Sequence, residues 1–344
     1  MSEMKKNITL QDIANILSVS KVTVSKALRN HPDISELKKA QVRDCALKLG
    51  YIPNLMARNL SSKKTYTIGV VVPKVTGDFF PDIINQIYQT ANDSGYEVIL
   101  AVSQEDKDYE IKHIQTLLAM CVDGLLISIT RETKDYQIFK VAKRRNVPIV
   151  FFDRVIKNDK KFSYVVSDDS LGVYNAMKHI VQAGYNKIAF VGGTLSTNIG
   201  KDRIQGFKKA IKDHGLFAKN IKVIKGGYEE VDGYIGMKKL SQLKKRKPEV
   251  IFCITYPVAM GVMRAAEELN IKVPSELDII SFGGSNYNHF IKPTLSYVKQ
   301  PISKIGKMAT FKLIDHIKDP NTRVEHIKVE TKLVIRETCV QRSV

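Results

Sequence analysis

At 344 residues, with 44% hydrophobic and 26% charged residues, the chain has the make-up of two or three folded domains and excludes a disordered polypeptide. Its formal net charge of +19 favours a polyanionic partner. No run approaches the roughly 18–20 apolar residues of a membrane span, and Met1–Asn7 lacks the apolar stretch of a signal peptide, so a cytoplasmic location is expected.

The first 64 residues hold 12 Lys or Arg against 5 acids, a mild basic enrichment, and their patterning is all-helical. Thr9 can cap a helix with Asp12 three residues on, and Ile13, Ile16 and Leu17 share a face. Ser18-Val19-Ser20 makes a turn. Ser20 caps a second helix that packs Val24, Ala27 and Leu28 inward. Ser35 caps a third, with Leu37, Val42, Cys45, Ala46 and Leu49 for its buried face and Gly50 to stop it. Three short helices with tight turns form a helix-turn-helix head over residues 1–50.

Pro53 then breaks the chain, and Asn54 can cap a short helix through Leu60. Residues 51–65 therefore read as a hinge helix and a polar linker. Isolated helices shorter than ~12 residues are marginal in water, so this one is expected to order only when two copies pack together on DNA.

From residue 67 apolar β-runs alternate with helical stretches. Strands are expected at Ile68–Val72, Val98–Val102, Gly124–Ile129, Pro148–Phe152, Val165–Val166, Ile188–Val191, Val223–Ile224, Val250–Ile254, Ile279–Phe282 and Lys332–Ile335. Helices fall between them, including Asp82–Asp93, Leu171–Ala183, Arg203–His214 and Val258–Leu269. Continuous β-branched runs separated by helices imply parallel sheets covered on both faces. So many strands exceed one comfortable sheet, and residues 66–344 should form two lobes with a ligand crevice beyond the carboxyl ends of the strands.

Four widely spaced cysteines (Cys45, Cys121, Cys253 and Cys339) sit mostly in apolar segments and read as buried free thiols. Enzyme motifs are weak. Gly192-Gly193 with Gly200 lacks dinucleotide-site spacing, no phosphate-binding P-loop occurs, and the seven histidines show no metal spacing. No cofactor or metal is expected.

These residues resemble bacterial transcription regulators of the LacI/GalR type over essentially the whole chain. The head carries Thr9-Leu10-x-Asp12-Ile13-Ala14, Val19-Ser20-x-x-Thr23-Val24-Ser25 and Tyr51-Ile52-Pro53-Asn54 with Ala57 and Leu60. The body carries Ile68-Gly69-Val70, Asp153-Arg154, Asp168-Asp169-x-x-Gly172, Gly184-Tyr185-x-x-Ile188-Ala189, Arg203-x-x-Gly206-Phe207, Val273-Pro274 and Gln300-Pro301. The resemblance implies an all-α helix-turn-helix head on a two-lobed α/β body of the periplasmic-binding-protein type, with parallel sheets.

Short polar residues suit phosphate contacts and longer ones reach base edges. By resemblance, Ser20, Thr23 and Ser25 anchor the second helix in the major groove, and Lys21, Val22 and Lys26 select the bases. Leu60 enters the minor groove as a wedge that kinks the duplex. Thr9, Arg29, Ser35, Asn54 and Ala57 complete the expected DNA-binding set. Two positions depart from the family pattern: Ser18 where Gly is usual, and Arg29 where Asn is usual. A left-handed Ser18 would cost about 1 kcal/mol, and Arg29 is expected to add a phosphate contact.

In the body, Arg203 matches the family's ligand-clamping arginine, whose guanidinium forms paired hydrogen bonds. Asp153 matches a position facing the cleft, and Phe79 and Phe80 would stack on a ring. Thr255-Tyr256 stands where the family has Asn-Asp, and Ser281-Phe282-Gly283 where it has Gly-Phe-Asp. Two hydroxyl acceptors are thus missing; Tyr256 is expected to replace one contact by stacking, and a non-sugar or anionic effector gains weight. The expected protein is a homodimeric regulator, more readily a repressor, on a pseudo-palindromic double-stranded operator, controlled by a sugar or sugar derivative. The competing reading is a small-molecule binding protein or enzyme with an incidental basic head. With no leucine-heptad run after Lys332–Ile335 in this sequence, a tetramer built on such a tail is not expected.

Overall fold

The computed structural model describes residues 8–52, 64–134, 136–157, 159–243, 245 and 247–340. The chain divides into two compact units, Met1–Thr65 and Tyr66–Val344. Pro53, Asn54, Ala57 and Leu60, which carry the hinge expectations, lie outside the described residues.

In the first unit, α1 (Leu10–Ile16), α2 (Lys21–Leu28) and α3 (Glu36–Lys48) enclose Ile13, Ala14, Val24, Ala27, Val42, Cys45 and Ala46. All three N-caps are the expected ones. Thr9 and Asp12 form a reciprocal capping box, Ser20 accepts from the Thr23 N–H, and Ser35 accepts from the Lys38 N–H. Ser18 takes the left-handed conformation at φ 50°, which lets Val19 N–H return to the Ala14 carbonyl at 3.0 Å. Two expected core residues are exposed, Ile16 at 58% and Leu37 at 73%. The buried stripe of α1 runs through Ile13 and Ala14 with Leu17 packed beside it, and Ile16 falls off it.

The second unit holds two six-stranded sheets. The first has the order β11-β5-β4-β3-β1-β2, built from β1 (Thr67–Val72), β2 (Glu97–Val102), β3 (Gly124–Ile127), β4 (Ile149–Phe152), β5 (Ser163–Ser167) and β11 (His326–Val329). The second has the order β12-β10-β9-β8-β6-β7, built from β6 (Ile188–Val191), β7 (Ile221–Ile224), β8 (Val250–Cys253), β9 (Asp278–Phe282), β10 (Ser296–Lys299) and β12 (Lys332–Val334). Pairing is parallel throughout, apart from β10 with β12.

Helices cover both sheets. The first lobe has α4 (Phe79–Asp93), α5 (Lys107–Ala119) and α6 (Gln137–Arg144); the second has α7 (Asp169–Gln182), α8 (Asn198–Asp213), α9 (Glu230–Ser241) and α10 (Tyr256–Glu268). The last helix, α11 (Ile302–Lys318), returns to the first lobe, where Ile305, Ala309, Leu313 and Ile314 pack on Ile68, Val70 and Val150. The chain therefore crosses between lobes three times: after β5, after β10 and after β11.

Two strands were not expected from sequence. β10 reads Ser-Tyr-Val-Lys, with Ser296 and Val298 buried, and β11 reads His-Ile-Lys-Val, with His326 and Lys328 exposed. Neither presents the continuous apolar run that marks the inner strands. Cys45, Cys253 and Cys339 are buried free thiols as expected, but Cys121 is exposed in a left-handed turn after α5. Among the described residues no helix is long and apolar enough to cross a membrane.

Candidate functional site

In the head, α2 turns Lys21 and Val22 outward, Val22 at 63% exposure, while Val24 and Ala27 face the core. An apolar side chain held in water on a helix of this unit has no packing role there. The Ser20 and Thr23 hydroxyls share a hydrogen bond of 2.8 Å at the start of α2, beside its free backbone N–H groups. That terminus is suited to a phosphate. Two of the expected contact residues are engaged within the head. Lys26 Nζ sits 2.8 Å from Asp33, holding that carboxyl below its ordinary range, and Arg29 Nε donates to the Ser25 carbonyl at 3.1 Å.

In the body, a cavity of about 460 Å3 lies beyond the carboxyl ends of β1, β4, β8, β9 and β10, the expected place in an open α/β sheet. Phe79, Phe80, Asp153, Arg203 and Tyr256 all line it. Phe79 and Phe80 meet edge to face at 5.2 Å, with Phe80 buried in the core of the first lobe. Tyr256 opens α10 on the opposite wall; burial pushes its phenol up to about 12, so it is a donor at neutral pH.

Arg203 is more constrained than a free clamp. Its Nε donates to Asp169 Oδ2 and its Nη1 to the Ile254 carbonyl, both at 2.8 Å, and its guanidinium lies 3.8 Å over the Phe282 ring. Arg203 and Asp169 are 3% and 2% exposed. Burial raises the Asp169 carboxyl above its usual range even though Arg203 and the Ser167 hydroxyl oppose it. Arg203 therefore braces the wall and presents its remaining edge to the cavity.

Asp153 ends β4 in the left-handed region, φ 56°, and is 7% exposed. Burial lifts its carboxyl to about 6; the neighbouring Arg154 and Arg203 pull it down, and Asp169 and Glu105 push it up. A carboxyl titrating near neutrality in a cavity is a common mark of a binding or catalytic position.

Several cavity residues escaped the sequence reading. Arg154 donates to both oxygens of Glu105 at 2.7 and 2.8 Å, and holds that carboxyl low against its burial. Its guanidinium faces the Phe80 and Tyr228 rings at 6.0 and 5.9 Å. Arg154 and Gln300 belong to motifs quoted above, which was the available signal. Tyr228 lies in a loop with no motif. Lys74 and Glu229 pair at 2.6 Å across the cavity mouth, one from each lobe. Asn198 adds a second inter-lobe clasp, donating to the Asp153 carbonyl and accepting from the Val155 N–H, both at 2.9 Å. A third is the Lys157–Asp202 pair.

The comparisons agree with this geometry. Residues 9–54 match the model of bacterial regulatory proteins of the lacI family. Residues 65–337 match that of periplasmic binding proteins and the sugar binding domain of the LacI family. Catabolite control protein A of Priestia megaterium is 30% identical over 304 residues, covering 88% of this chain and 90% of that protein. The chain belongs to the LacI family of bacterial regulatory proteins. Another relative, the probable HTH-type transcriptional repressor ExuR of Bacillus subtilis (strain 168), is 29% identical over 96% of this chain and 98% of its own length. A crystal structure of the lac repressor dimer bound to operator and the anti-inducer ONPF has a TM-score of 0.83. It is 22% identical, and the match covers 97% of this chain and 100% of that one, a likeness of fold. This LacI-family chain is a DNA-binding transcription regulator with an effector-binding body.

Proposed function

We propose that this LacI-family chain is a cytoplasmic repressor rather than an enzyme. Two copies would bind a pseudo-palindromic operator, as twofold proteins do, under control of a sugar or sugar derivative held between the lobes. One observation carries the reading: the aromatic, Asp153-bearing cavity is lined from both lobes, with the Lys74–Glu229 clasp in its wall and Asp153 tied through its carbonyl to Asn198, so a guest there acts on the angle between lobes. A guest that favours one lobe arrangement shifts operator affinity by its difference in affinity for the two states.

In the head, Ser20, Thr23 and Ser25 hold phosphates while Lys21, Val22 and Lys26 choose the sequence. Thr9 and Ser35 set the helix ends, and Arg29 adds a phosphate contact. Asn54, Ala57 and Leu60 complete the proposed DNA-contacting set. A gel-shift titration of the full chain against its own upstream DNA tests the reading. A sequence-selective complex that weakens with salt is expected; its absence would favour a small-molecule binding protein or enzyme with an incidental basic head. In the same assay, Leu60→Ala should lose affinity on the order of 2 kcal/mol, the cost of an unfilled wedge. Unchanged binding and an unbent duplex would remove Leu60 from that role.

A further inference from the structure

The loop that follows α2 carries an acid back to it. Asn30 sits in the left-handed region at φ 60°, a conformation that Asn tolerates better than most residues. Its N–H returns to the Ala27 carbonyl at 3.1 Å, and the His31 N–H to the Lys26 carbonyl at 3.0 Å, the paired bonds that end a helix in a tight reversal. The Asp33 N–H then donates to His31 Nδ1 at 3.3 Å, and the Ile34 N–H to the His31 carbonyl at 3.2 Å, with Ile34 packed against the head core. The backbone of residues 30–34 is thereby fixed, and it brings the Asp33 carboxylate to the last turn of α2. There Lys26 Nζ donates to Asp33 Oδ2 at 2.8 Å.

Stability does not account for this acid. Asp33 is exposed, and an exposed ion pair contributes little to folding. Other acids of the head serve α1 and α3: Asp12 closes the capping box of α1, Glu36 pairs with Lys39 and Asp44 with Lys48. Asp33 instead meets Lys26, which lies one turn from the exposed Val22 on the same face of α2. A carboxylate on that face repels phosphates and weakens any complex that rests on charge alone.

The chemistry of the pair separates two kinds of binding. An ammonium offers three N–H donors, and Asp33 engages one. The other two are left for acceptors on a base edge, guanine O6 and N7 being the usual pair for Lys. Attraction to phosphates is Coulombic and blind to sequence, so the neighbouring carboxylate reduces it. A hydrogen bond to a base edge depends on direction and distance, so it persists. Specificity is the difference between these two affinities.

We infer that Asp33 is a specificity-determining positioning residue of the head: it aims Lys26 at the edge of a G·C pair and withholds that ammonium from phosphates. This rests on the reading of α2 as the helix that selects bases.

The test uses the full chain, Asp33→Asn, Lys26→Met and the double variant in gel-shift titrations. The probes are the chain's own upstream duplex, the same duplex with each base pair changed in turn, and a random duplex of equal length. Asp33→Asn should bind the random duplex about threefold more tightly, the size of an exposed ion pair. Its log–log salt slope on that duplex should steepen by about one phosphate contact. Its preference at one G·C pair of each half-site should fall by a similar factor. Asp33→Ser should behave alike, which ties the change to the lost charge rather than to the loop. On the Lys26→Met background Asp33→Asn should leave that preference unchanged, because Asp33 acts through Lys26. An equal loss of preference with and without Lys26 would overturn the proposal, since it marks a general effect of charge. If the parent chain selects its own duplex and Asp33→Asn keeps every preference, the base-selecting role of α2 stands and the proposal falls. If the parent binds the random duplex equally well, both fall.

Discussion

Arg203→Met is expected to destabilise the body by about 3–5 kcal/mol at neutral pH, the cost of leaving one charge of a buried pair without its partner. The reason lies in what Arg203 leaves behind. Asp169 is 2% exposed, and its remaining donor is the Ser167 hydroxyl. Without the guanidinium it must hold a charge in low dielectric or take up a proton. The Ile254 carbonyl also loses a donor, and Phe282 loses the cation over its face. The deficit should shrink as pH falls, because a protonated Asp169 no longer needs the partner. Chemical denaturation measures it, and Asp169→Asn on the Arg203→Met background should recover most of the loss. A double variant no more stable than the single one would show that the pair is not what the wall depends on.

The same pair shows what was legible in the sequence. Arg203 and Asp169 are 34 residues apart, and each was visible as part of a motif. Nothing in either motif says that they meet, because the contact is made by two helices, α7 and α8, packing on one face of the second sheet. The head was more readable. Ser20 and Thr23, or Thr9 and Asp12, interact over three residues, and local spacing fixes local geometry. The inner strands announced themselves as apolar runs because both faces are covered. β10 and β11 did not, since each mixes polar with apolar residues and neither is buried along its length.

The cavity was half legible for a related reason. Phe79, Asp153 and Tyr256 each follow a strand end or open a helix, where the open-sheet rule directs attention, while Arg203 lies in the second turn of α8, whose start the sequence reading placed too late. Lys74 and Tyr228 also sit in loops after strand ends, β1 and β7, but no motif singled them out. Gly283 was read as a missing acceptor, whereas Gly284 carried no reading; the Tyr297 ring packs where a Cβ at 284 would stand 2.6 Å away.

Asp153→Asn should change stability in the opposite direction to Arg203→Met. The carboxyl is displaced from 3.8 to about 6 in the folded chain, chiefly by burial. At about 1.36 kcal/mol per pH unit, that displacement corresponds to about 3 kcal/mol at most. The sign follows from proton counting. Between these two values the folded state binds more protons than the unfolded state, so stability falls as pH rises through the window. Above pH 7 the penalty is complete, and below 3.8 it vanishes. An Asn at 153 keeps the shape and carries no charge to desolvate, so the variant should be more stable than the parent at pH 7.5 and equal to it near pH 3.5. Equilibrium unfolding at the two pH values measures the difference, and a gain that is absent at pH 7.5, or the same at both, would sink the idea. The parent chain bears this cost at a carboxyl that lines the cavity and whose own backbone carbonyl is tied to Asn198 of the other lobe. Such a group is retained for what it binds rather than for what it stabilises, so Asp153→Asn should also blunt the effector's influence on operator affinity while leaving operator binding itself intact.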